Sequence, residues 1–502
     1  MSATISTSGE FESVIGLEVH CQLSTNTKIF CGCRAKPELK DGSVSVGDAV
    51  PNAYTCPVCT GQPGALPVLN AKAVEYAVRA GLALGCEIRL KNVFSRKNYF
   101  YPDLPKGYQI SQYDLPICEN GSLEISLPTG SKSIRVQRIH MEEDAGKSVH
   151  EDGYSLVNLN RGGVPLIEIV SHPDLRTPEE AGAYLRALHA VVTYLGVCDG
   201  NMQEGNFRCD ANVSVMPKGA KEFGTRAEIK NVNSFRFVEK AIEYEVRRQI
   251  EVVKGGGRIV QETRLYDSDK NQTFSMRSKE EAHDYRYFPE PDLIPLSLSQ
   301  DYVDRIKSSL PELPEQKRAR FVAELGLSAY DAGVLTGSKP LADFFDAAVA
   351  LLASEGTPPT VSAKPLANLI TGEVARRLNE EGIEIGESRL RPAHVAELVK
   401  LTAANVVSST GSKQALNVAW KSGEAIGLIV QREGLQQVSD LTALEPAIDG
   451  IIAANPGQVA EFKAGKDKLI GFFVGQAMKA TGGKANPALL QEIIRKKLQG
   501  VE

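Results

Sequence analysis

The spacing of apolar residues divides the chain into two parts. Up to about residue 295, apolar and polar positions alternate in short runs such as 15–23, 207–215 and 226–230, which is typical of half-buried strands. At least three helices are predicted in this part: one follows Asn70, one starts at the N-cap Thr177, and one runs from about Ser234 to the glycines at 255–257. This mixture predicts an α+β domain around a largely antiparallel sheet.

Beyond residue 295 the sequence is rich in Ala, Leu, Glu and Lys and has helical periodicity. The stretch 408–412, Ser-Ser-Thr-Gly-Ser, reads as a joint within this half. We therefore predict an α+β domain at 1–295, an all-α helical domain at 296–407 and a helical tail at 408–502. Three domains also suit a chain of 502 residues, at about 150 residues per domain.

Composition narrows the class of protein. Charged residues make up 24% and hydrophobic residues 42%, as in a globular protein. No apolar run approaches the ~18 residues of a transmembrane helix, and the first ten residues lack a secretory signal. We expect a cytoplasmic location. With a net charge of −5, a nucleic-acid partner would need a local basic patch.

Four of the nine cysteines form two close pairs, Cys31 with Cys33 and Cys56 with Cys59. Zinc prefers four tetrahedral thiolates, and two such pairs across a loop can supply all four. The sequence therefore predicts a closed structural zinc site. The alternative is that these four are ordinary buried thiols. We expect the other five cysteines to be buried core residues.

Several predicted strands have an unusually charged polar face. Residues 15–23 alternate strictly, so Glu18 and His20 lie on the side away from the apolar positions. The acidic, basic and imidazole side chains of the polar faces are Glu18, His20, His140, Glu142, Glu143, Asp144, Glu168, Arg208, Asp210, Glu228 and Lys230. Carboxylates and imidazole suit Mg²⁺ or Mn²⁺, and Arg and Lys suit phosphate. The faces thus favour phosphoryl transfer; the alternative is a solvated outer face.

Familiar nucleotide-binding motifs are missing. Residues 146–148, Gly-Lys-Ser, resemble half of a P-loop, but Met141 stands where its first glycine is required. A Rossmann glycine fingerprint is also lacking. Any ATP site must therefore use neither motif.

Long segments of the chain nevertheless match a known family. They are residues 15–20, 98–112, 140–147, 163–170, 208–214, 228–235, 284–292, 475–481 and 483–487. Over nearly its whole length the chain resembles the B subunits of aspartyl/glutamyl-tRNA(Asn/Gln) amidotransferases. That resemblance implies a cradle domain with kinase and transamidation activity, a helical domain and a YqeY-like tail that contacts tRNA.

The resemblance also implies a reaction. The family uses ATP and Mg²⁺ to phosphorylate the side-chain carboxylate of misacylated Glu-tRNA(Gln), and often of Asp-tRNA(Asn). The partner amidase, called the A subunit, releases ammonia from glutamine, and the ammonia travels through a tunnel and displaces the phosphate. The small C subunit clasps the other two. The sequence leaves open which of the two tRNAs is the substrate.

By the same resemblance, residue roles can be assigned. Glu18 and His20, with Glu142 or Glu143, are expected to bind Mg²⁺, and Arg208 and Lys230 to bind phosphate or carboxylate. Further candidates for the metal or the ammonia path are Glu168, Glu204, Asp210 and Glu228. At position 172 the family usually has Glu and this chain has His172, so no carboxylate role is assigned there.

The tail is the predicted tRNA contact. Residues 456–502 contain eight Lys and Arg against four Asp and Glu, an excess of +4. The expected tRNA-binding residues are Lys466, Lys468, Lys479, Lys484, Arg495 and Lys496. The alternative is a merely solvated helical surface.

Two other functions fit part of the sequence. A noncatalytic, zinc-stapled tRNA-binding scaffold would use the polar sheet face for RNA alone, but carboxylates repel phosphates and such a face should be basic and aromatic. A stand-alone carboxylate–amine ligase would need its own ammonia source, and the sequence has no Cys–His glutaminase signal.

Overall fold

The computed structural model describes residues 10–36, 50–278, 282–437, 441–481, 485 and 487–499. Two compact units divide the chain, Met1–Leu313 and Pro314–Glu502. The first unit thus extends past the predicted boundary at 295. The reason is that the helix after this point contributes Ile306 to the core of the first unit.

The first unit contains all the strands of the described residues. They are β1 (Phe11–Gln22), β2 (Glu87–Ile88), β3 (Lys91–Asn92), β4 (Ser95–Asn98), β5 (Tyr108–Ser111), β6 (Cys118–Leu127), β7 (Gly130–Glu143), β8 (Lys147–Glu151), β9 (Tyr154–Asn158), β10 (Pro165–Ser171), β11 (Phe207–Pro217), β12 (Ala227–Val232), β13 (Glu262–Asp267), β14 (Gln272–Ser278), β15 (Phe288–Pro289) and β16 (Leu296–Ser297).

Nine of these strands form one sheet in the order β14-β13-β12-β11-β1-β10-β7-β6-β2. Its neighbours are antiparallel except β12 and β13, which are parallel, so the sheet is mixed but largely antiparallel. A three-stranded sheet has the order β15-β4-β5, and β16-β3 and β8-β9 form two-stranded sheets. The α+β class predicted from the sequence is confirmed.

Helices cover the apolar face of the large sheet. In the first unit they are α1 (Ala71–Ala83), α2 (Pro178–Tyr194), α3 (Phe235–Lys254) and α4 (Gln300–Ser308), with a 3₁₀ turn at Ala282–Tyr285. Helices α1, α2 and α3 begin where predicted, because the side chains of Asn70, Thr177 and Ser234 accept hydrogen bonds from backbone N–H groups of the first turn. Leu17 and Val19 of β1 are buried in the core that these helices share. The alternate, polar positions of β1 therefore lie on the opposite face.

The second unit is helical in its described residues. Its helices are α5 (Pro314–Ala323), α6 (Ala329–Leu335), α7 (Lys339–Ser354), α8 (Pro359–Leu369), α9 (Ala375–Glu381), α10 (Pro392–Ala403), α11 (Ser409–Ser422), α12 (Ile426–Arg432), α13 (Leu441–Ala454), α14 (Pro456–Lys463), α15 (Ile470–Ala480) and α16 (Pro487–Gln499), with a π turn at Ile370–Val374 and 3₁₀ turns at Ile385–Glu387 and Asp467–Leu469. Where the chain is described, no helix combines the length and hydropathy needed to cross a bilayer.

The buried apolar residues of this unit form two cores, one between Phe321 and Val430 and one between Ile448 and Leu498. The predicted joint at 408–412 falls inside the sequence range of the earlier core, which has members on both sides of it, Val407 and Ala415. Ser408 is the N-cap of α11, and Leu416 of that helix is buried in the earlier core. A polar capping segment thus resembles a linker in sequence, although the helix that follows it packs with the preceding domain.

Candidate functional site

The register of four neighbouring strands brings the charged polar positions together. On β1, His20 lies opposite Glu168 of β10 on one side and Arg208 of β11 on the other. Glu18 lies opposite Asp210 of β11. Glu168 in turn lies opposite His140 of β7. Since adjacent strands are only about 4.8 Å apart, these side chains meet on one patch of the sheet.

At the centre of the patch, the Nε2 atom of His20 lies among three carboxylates. It is 3.3 Å from Glu168 Oε2, 3.8 Å from Glu142 Oε1 and 3.9 Å from Glu18 Oε1. The Nε2 atom of His140 is 3.5 Å from Glu168 Oε2 and 3.8 Å from Glu142 Oε2. We call Glu18, His20, His140, Glu142, Glu168 and Asp210 the carboxylate–histidine cluster.

The charges of this cluster shift its pKa values in opposite directions. Burial alone would lower the pKa of His20, but the hydrogen bond and charge of Glu168, with the charges of Glu142 and Glu18, raise it to about 9. Burial and the neighbouring charge of Glu168 raise the pKa of Glu18. The pKa of Glu168 is lowered despite burial, because His140 and His20 stabilise its charged form. The pKa of Glu142 is also lowered despite burial, by His140 and His20, so the charge of Glu18 is the one that the cluster's own cations compensate least.

The donor set of the cluster fits a divalent cation. One ligand atom each from Glu18, His20 and Asp210 lie within 4.8 Å of one another, and so do those of His20, Glu142 and Glu168. His20 belongs to both groups. Carboxylate oxygens with one imidazole nitrogen suit a hard divalent ion, which would displace the proton of His20 and supply more positive charge than that proton does.

Arg208 and Lys230 lie on the same face, each held by a carboxylate. Arg208 Nη2 donates to Asp144 Oδ1 at 3.2 Å, and Asp144 also accepts from Gln22 Nε2 at 2.8 Å. Lys230 pairs with Asp210. Lys230 Nζ also lies 3.7 Å from Glu228 Oε1. Both cations are oriented by these partners yet about a third exposed, so they can still contact an anion from solvent.

Two of the predicted acids lie elsewhere. Glu143 follows Glu142 on β7 but its side chain pairs with Lys106 and accepts from the backbone N–H of Ile110 at 2.8 Å. Glu204 is exposed in the loop before β11 and contacts Asn206. The structure brings neither into the carboxylate–histidine cluster. For Glu143 the reason is the two-residue period of the strand, which places consecutive side chains on opposite faces.

Sequence reasoning assigned no role to Lys97 on β4. Burial disfavours its ammonium group, but the charges of Tyr287, Glu142 and Glu168 raise the pKa of Lys97 above its usual range. Lys97 is thus a cation that the three-stranded sheet places beside the cluster. Strand β5 of the same sheet also contacts the cluster, because Ser111 Oγ lies 3.4 Å from Glu142 Oε2. Strand alternation could not reveal Lys97, because β4 is outside the nine-stranded sheet.

A cavity of about 400 Å³ opens on the polar face beside Glu18. Its lining includes Arg138, Asn212, Ser214 and Arg226. Arg138 Nη2 lies 3.9 Å from Glu168 Oε1. Arg226 is exposed and makes no ion pair with any described residue. The volume is within the ~300–1,000 Å³ range of small-molecule sites, and its two arginines favour an anion.

The four clustered cysteines are brought together as predicted. One sulfur from each of Cys31, Cys33, Cys56 and Cys59 lies within 4.8 Å of the others. The Sγ atoms of Cys56 and Cys59 are 3.9 Å apart, and a tetrahedral site with Zn–S bonds of about 2.3 Å needs roughly 3.8 Å. The cluster could therefore hold a metal ion. The remaining five cysteines are buried, as expected.

The cations of the tail lie at the surface. Lys466, Lys468, Lys479, Arg495 and Lys496 are exposed, whereas Lys484 lies outside the described residues. Lys466 pairs with Glu461 at 3.1 Å and Lys496 with Glu492 at 2.9 Å. Exposed pairs of this kind contribute about 0–1 kcal/mol, so both lysines could exchange partners.

Comparison with known proteins covers both parts of the chain. Residues 13–304 match the family described as the GatB/GatE catalytic domain, and residues 343–498 match the GatB domain. The B subunits of the aspartyl/glutamyl-tRNA(Asn/Gln) amidotransferases of Geotalea daltonii and Trichlorobacter lovleyi are 56% identical over 496 residues and 57% identical over 491 residues, respectively. The B subunit of Geobacter sulfurreducens is 56% identical over 495 residues. Each alignment covers 98% of this chain and 100% of the relative.

Proposed function

Because this chain belongs to the GatB family of aspartyl/glutamyl-tRNA(Asn/Gln) amidotransferase B subunits, we propose that its carboxylate–histidine cluster carries the ATP-dependent step of tRNA amidation. The chain is one component of an ATP-dependent, glutamine-hydrolysing ligase complex that acts in translation. We propose Glu-tRNA(Gln) and Asp-tRNA(Asn) as its substrates, the amidase A and small C subunits as its partners, and the cytoplasm as its location. The observation that carries the proposal is His20 among Glu18, Glu142 and Glu168.

The chemistry explains why such a cluster is needed. A carboxylate is a poor acyl donor, so one of its oxygens first attacks the γ-phosphorus of ATP and ADP leaves. Ammonia then attacks the carbonyl carbon of the acyl phosphate, inorganic phosphate leaves, and the nitrogen loses a proton to give the amide. Both steps require phosphates and a carboxylate to be held together while water is excluded.

We assign the groups of the cluster to separate tasks. Glu18, His20 and Asp210, or His20, Glu142 and Glu168, would hold Mg²⁺. A bound Mg²⁺ would supply charge neutralisation for the transferred phosphoryl group. Glu142 is the proposed ligand instead of Glu143, because only Glu142 contacts the histidines. Arg208 and Lys230 would bind phosphate oxygens, and Lys97 would bind the substrate carboxylate. A noncatalytic scaffold is not favoured, because three carboxylates around His20 would repel RNA phosphates.

Replacing Glu18 tests the cluster. In the assembled complex, Glu18→Gln should lower the rate of ATP-dependent amide formation on the order of 10²-fold, the usual effect of removing one electrostatic group from an active site. The swap is nearly isosteric and should spare folding, tRNA binding and basal glutamine hydrolysis. Glu12→Gln, on the same strand but away from the cluster, is the matched control. A near-wild-type rate at limiting Mg²⁺ would move the metal site to Glu142 and Glu168.

We further propose that ATP occupies the 400 Å³ cavity beside Glu18. Two arginines line this cavity, and its lining also includes Glu18, which belongs to the carboxylate–histidine cluster. A nucleotide bound there would therefore direct its triphosphate towards the proposed metal ligands. Arg226→Gln should raise the KM for ATP about tenfold, because a charge-assisted hydrogen bond contributes about 1.5–3 kcal/mol. Lys221→Gln removes the same charge from the same loop and should not. An unchanged KM for ATP, or a raised KM for tRNA instead, would refute this placement.

We propose that the metal of the cysteine cluster is structural zinc. The Nζ atom of Lys28, which is fully buried, lies 3.6 Å from Cys59 Sγ. Its charge would partly offset the negative charge of a four-thiolate zinc centre. The four protein ligands would leave no open position, so this ion should hold the loop and take no part in the reaction.

Metal analysis tests the zinc site. The purified, folded chain should contain about one tightly bound zinc, because four thiolates form a closed site. Cys33→Ser should lose most of it, whereas Cys86→Ser, which alters a buried thiol outside the cluster, should retain it. Clearly less than one zinc per wild-type chain, or full retention by Cys33→Ser, would contradict the assignment.

The tail is proposed as a tRNA contact. Its excess of +4 over residues 456–502 stands out in a chain of net charge −5. The exposed cations Lys468, Lys479 and Arg495 make no ion pair with described residues. Phosphate contacts from such residues supply sequence-independent affinity.

A further inference from the structure

We propose that a row of five tyrosines beside the carboxylate–histidine cluster binds the unpaired 3′ end of the substrate tRNA by stacking on its bases. The inference rests on the proposed function, because it concerns how the aminoacyl group reaches that cluster. The row, in spatial order, consists of Tyr101, Tyr99, Tyr285, Tyr287 and Tyr113. Two sequence segments supply it, 98–112 with the adjoining Tyr113, and 284–292.

The rings of the row are in continuous contact. The ring centroids of Tyr101 and Tyr99 are 5.9 Å apart, and those of Tyr99 and Tyr285 are 6.1 Å apart. Tyr285 and Tyr287 are 6.0 Å apart. Tyr287 stacks on Tyr113 at 4.2 Å with an interplanar angle of 7°. The rings thus form one continuous aromatic surface with more area than the one base of a nucleotide such as ATP would cover.

The row is held in place before any ligand arrives. The Asn98 Nδ2 atom donates to the carbonyl oxygens of Tyr285 and Arg286, at 3.0 and 2.8 Å. Arg96 forms a two-pronged ion pair with the buried Glu290, at 2.7 and 2.8 Å. These contacts tie β4 to the segment of β15, so little conformational entropy would be lost on binding.

Both ends of the row are open to solvent. Tyr101 is 46% exposed and Tyr113 is 44% exposed, and Phe100 beside Tyr101 is 77% exposed. Phe100 and Tyr101 are adjacent, and contiguous exposed apolar side chains rimmed by polar residues mark binding surfaces. Base–aromatic stacking tolerates any sequence, which suits an enzyme that must accept the common 3′ end of different tRNAs.

The charges along the row suit a polyanion whose last group reaches the cluster. Lys97 Nζ lies 4.8 Å from the ring centroid of Tyr285, in the middle of the row, and it interacts electrostatically with Glu142 and Glu168. Arg286 is exposed and makes no ion pair with described residues. A strand that stacks from one exposed end of the row towards its middle would thus present its terminal aminoacyl group next to Lys97 and the cluster.

The test compares two forms of tRNA on the assembled complex. One is the full-length tRNA and the other lacks its unpaired 3′ nucleotides; their affinities are measured by fluorescence anisotropy without ATP. Truncation should weaken binding to wild type roughly tenfold or more, since stacking contributes about 1–3 kcal/mol per base. In the double variant Tyr101→Ala, Tyr113→Ala, truncation should have about a tenfold smaller effect, because those stacking contacts are already absent.

Matched variants separate this role from others. Tyr154→Ala removes an exposed tyrosine outside the row and should respond to truncation as wild type does, and the double variant to Phe, which keeps both rings, should also behave as wild type. If truncation weakened binding to the double Ala variant as much as binding to wild type, the proposal would be refuted. Loss of the partner subunits from that variant would also refute it, because the row would then be a protein interface. Because no ATP is present, the outcome is independent of whether the cluster performs the proposed chemistry.

Discussion

The two-residue period of the β-strand is the constraint on which the site depends. Along β1, Leu17 and Val19 are buried with the helices, so Glu18 and His20 must lie on the other face. The same rule applies to β10, where Ile167 and Ile169 are fully buried and Glu168 falls between them. Because neighbouring strands fix the register, the apolar core positions a set of carboxylates around one imidazole. A one-residue slip of β1 would move both polar side chains into the core.

That arrangement is costly unless a cation compensates for it. Glu142 and Glu168 are buried, and like charges at such distances oppose one another. His20, His140 and Lys97 offset part of the repulsion, and Arg208 and Lys230 are drawn to Asp144 and Asp210 at the margin. A divalent ion would take the place of the His20 proton and supply the additional positive charge. The clustered carboxylates therefore explain both the electrostatics of the sheet face and the proposed binding of a divalent ion for phosphoryl transfer.

Much of this site could be predicted from the sequence. The residues that could not be predicted are those placed by contacts between distant segments. Glu18, His20 and Glu168 could be predicted, because alternation within one strand assigns each side chain to a face. The family resemblance supplied roles, but it left Glu142 and Glu143 undistinguished, and only their contacts separate them. Lys97 and the tyrosine row reach the site from a different sheet, through contacts between segments almost 190 residues apart in sequence, such as that of Asn98 with Arg286. Local periodicity contains no information on such contacts.

The most direct test of the account is the binding of Mn²⁺, which takes sites similar to those of Mg²⁺, to the nucleotide-free chain, followed by electron paramagnetic resonance. Wild type should bind Mn²⁺, and Glu168→Gln should weaken this binding about tenfold or more. Glu204→Gln, which alters an acid outside the carboxylate–histidine cluster, should leave it unchanged. Unaltered Mn²⁺ binding by Glu168→Gln, or a loss confined to Glu204→Gln, would contradict the claim that the sheet face around His20 is the metal site.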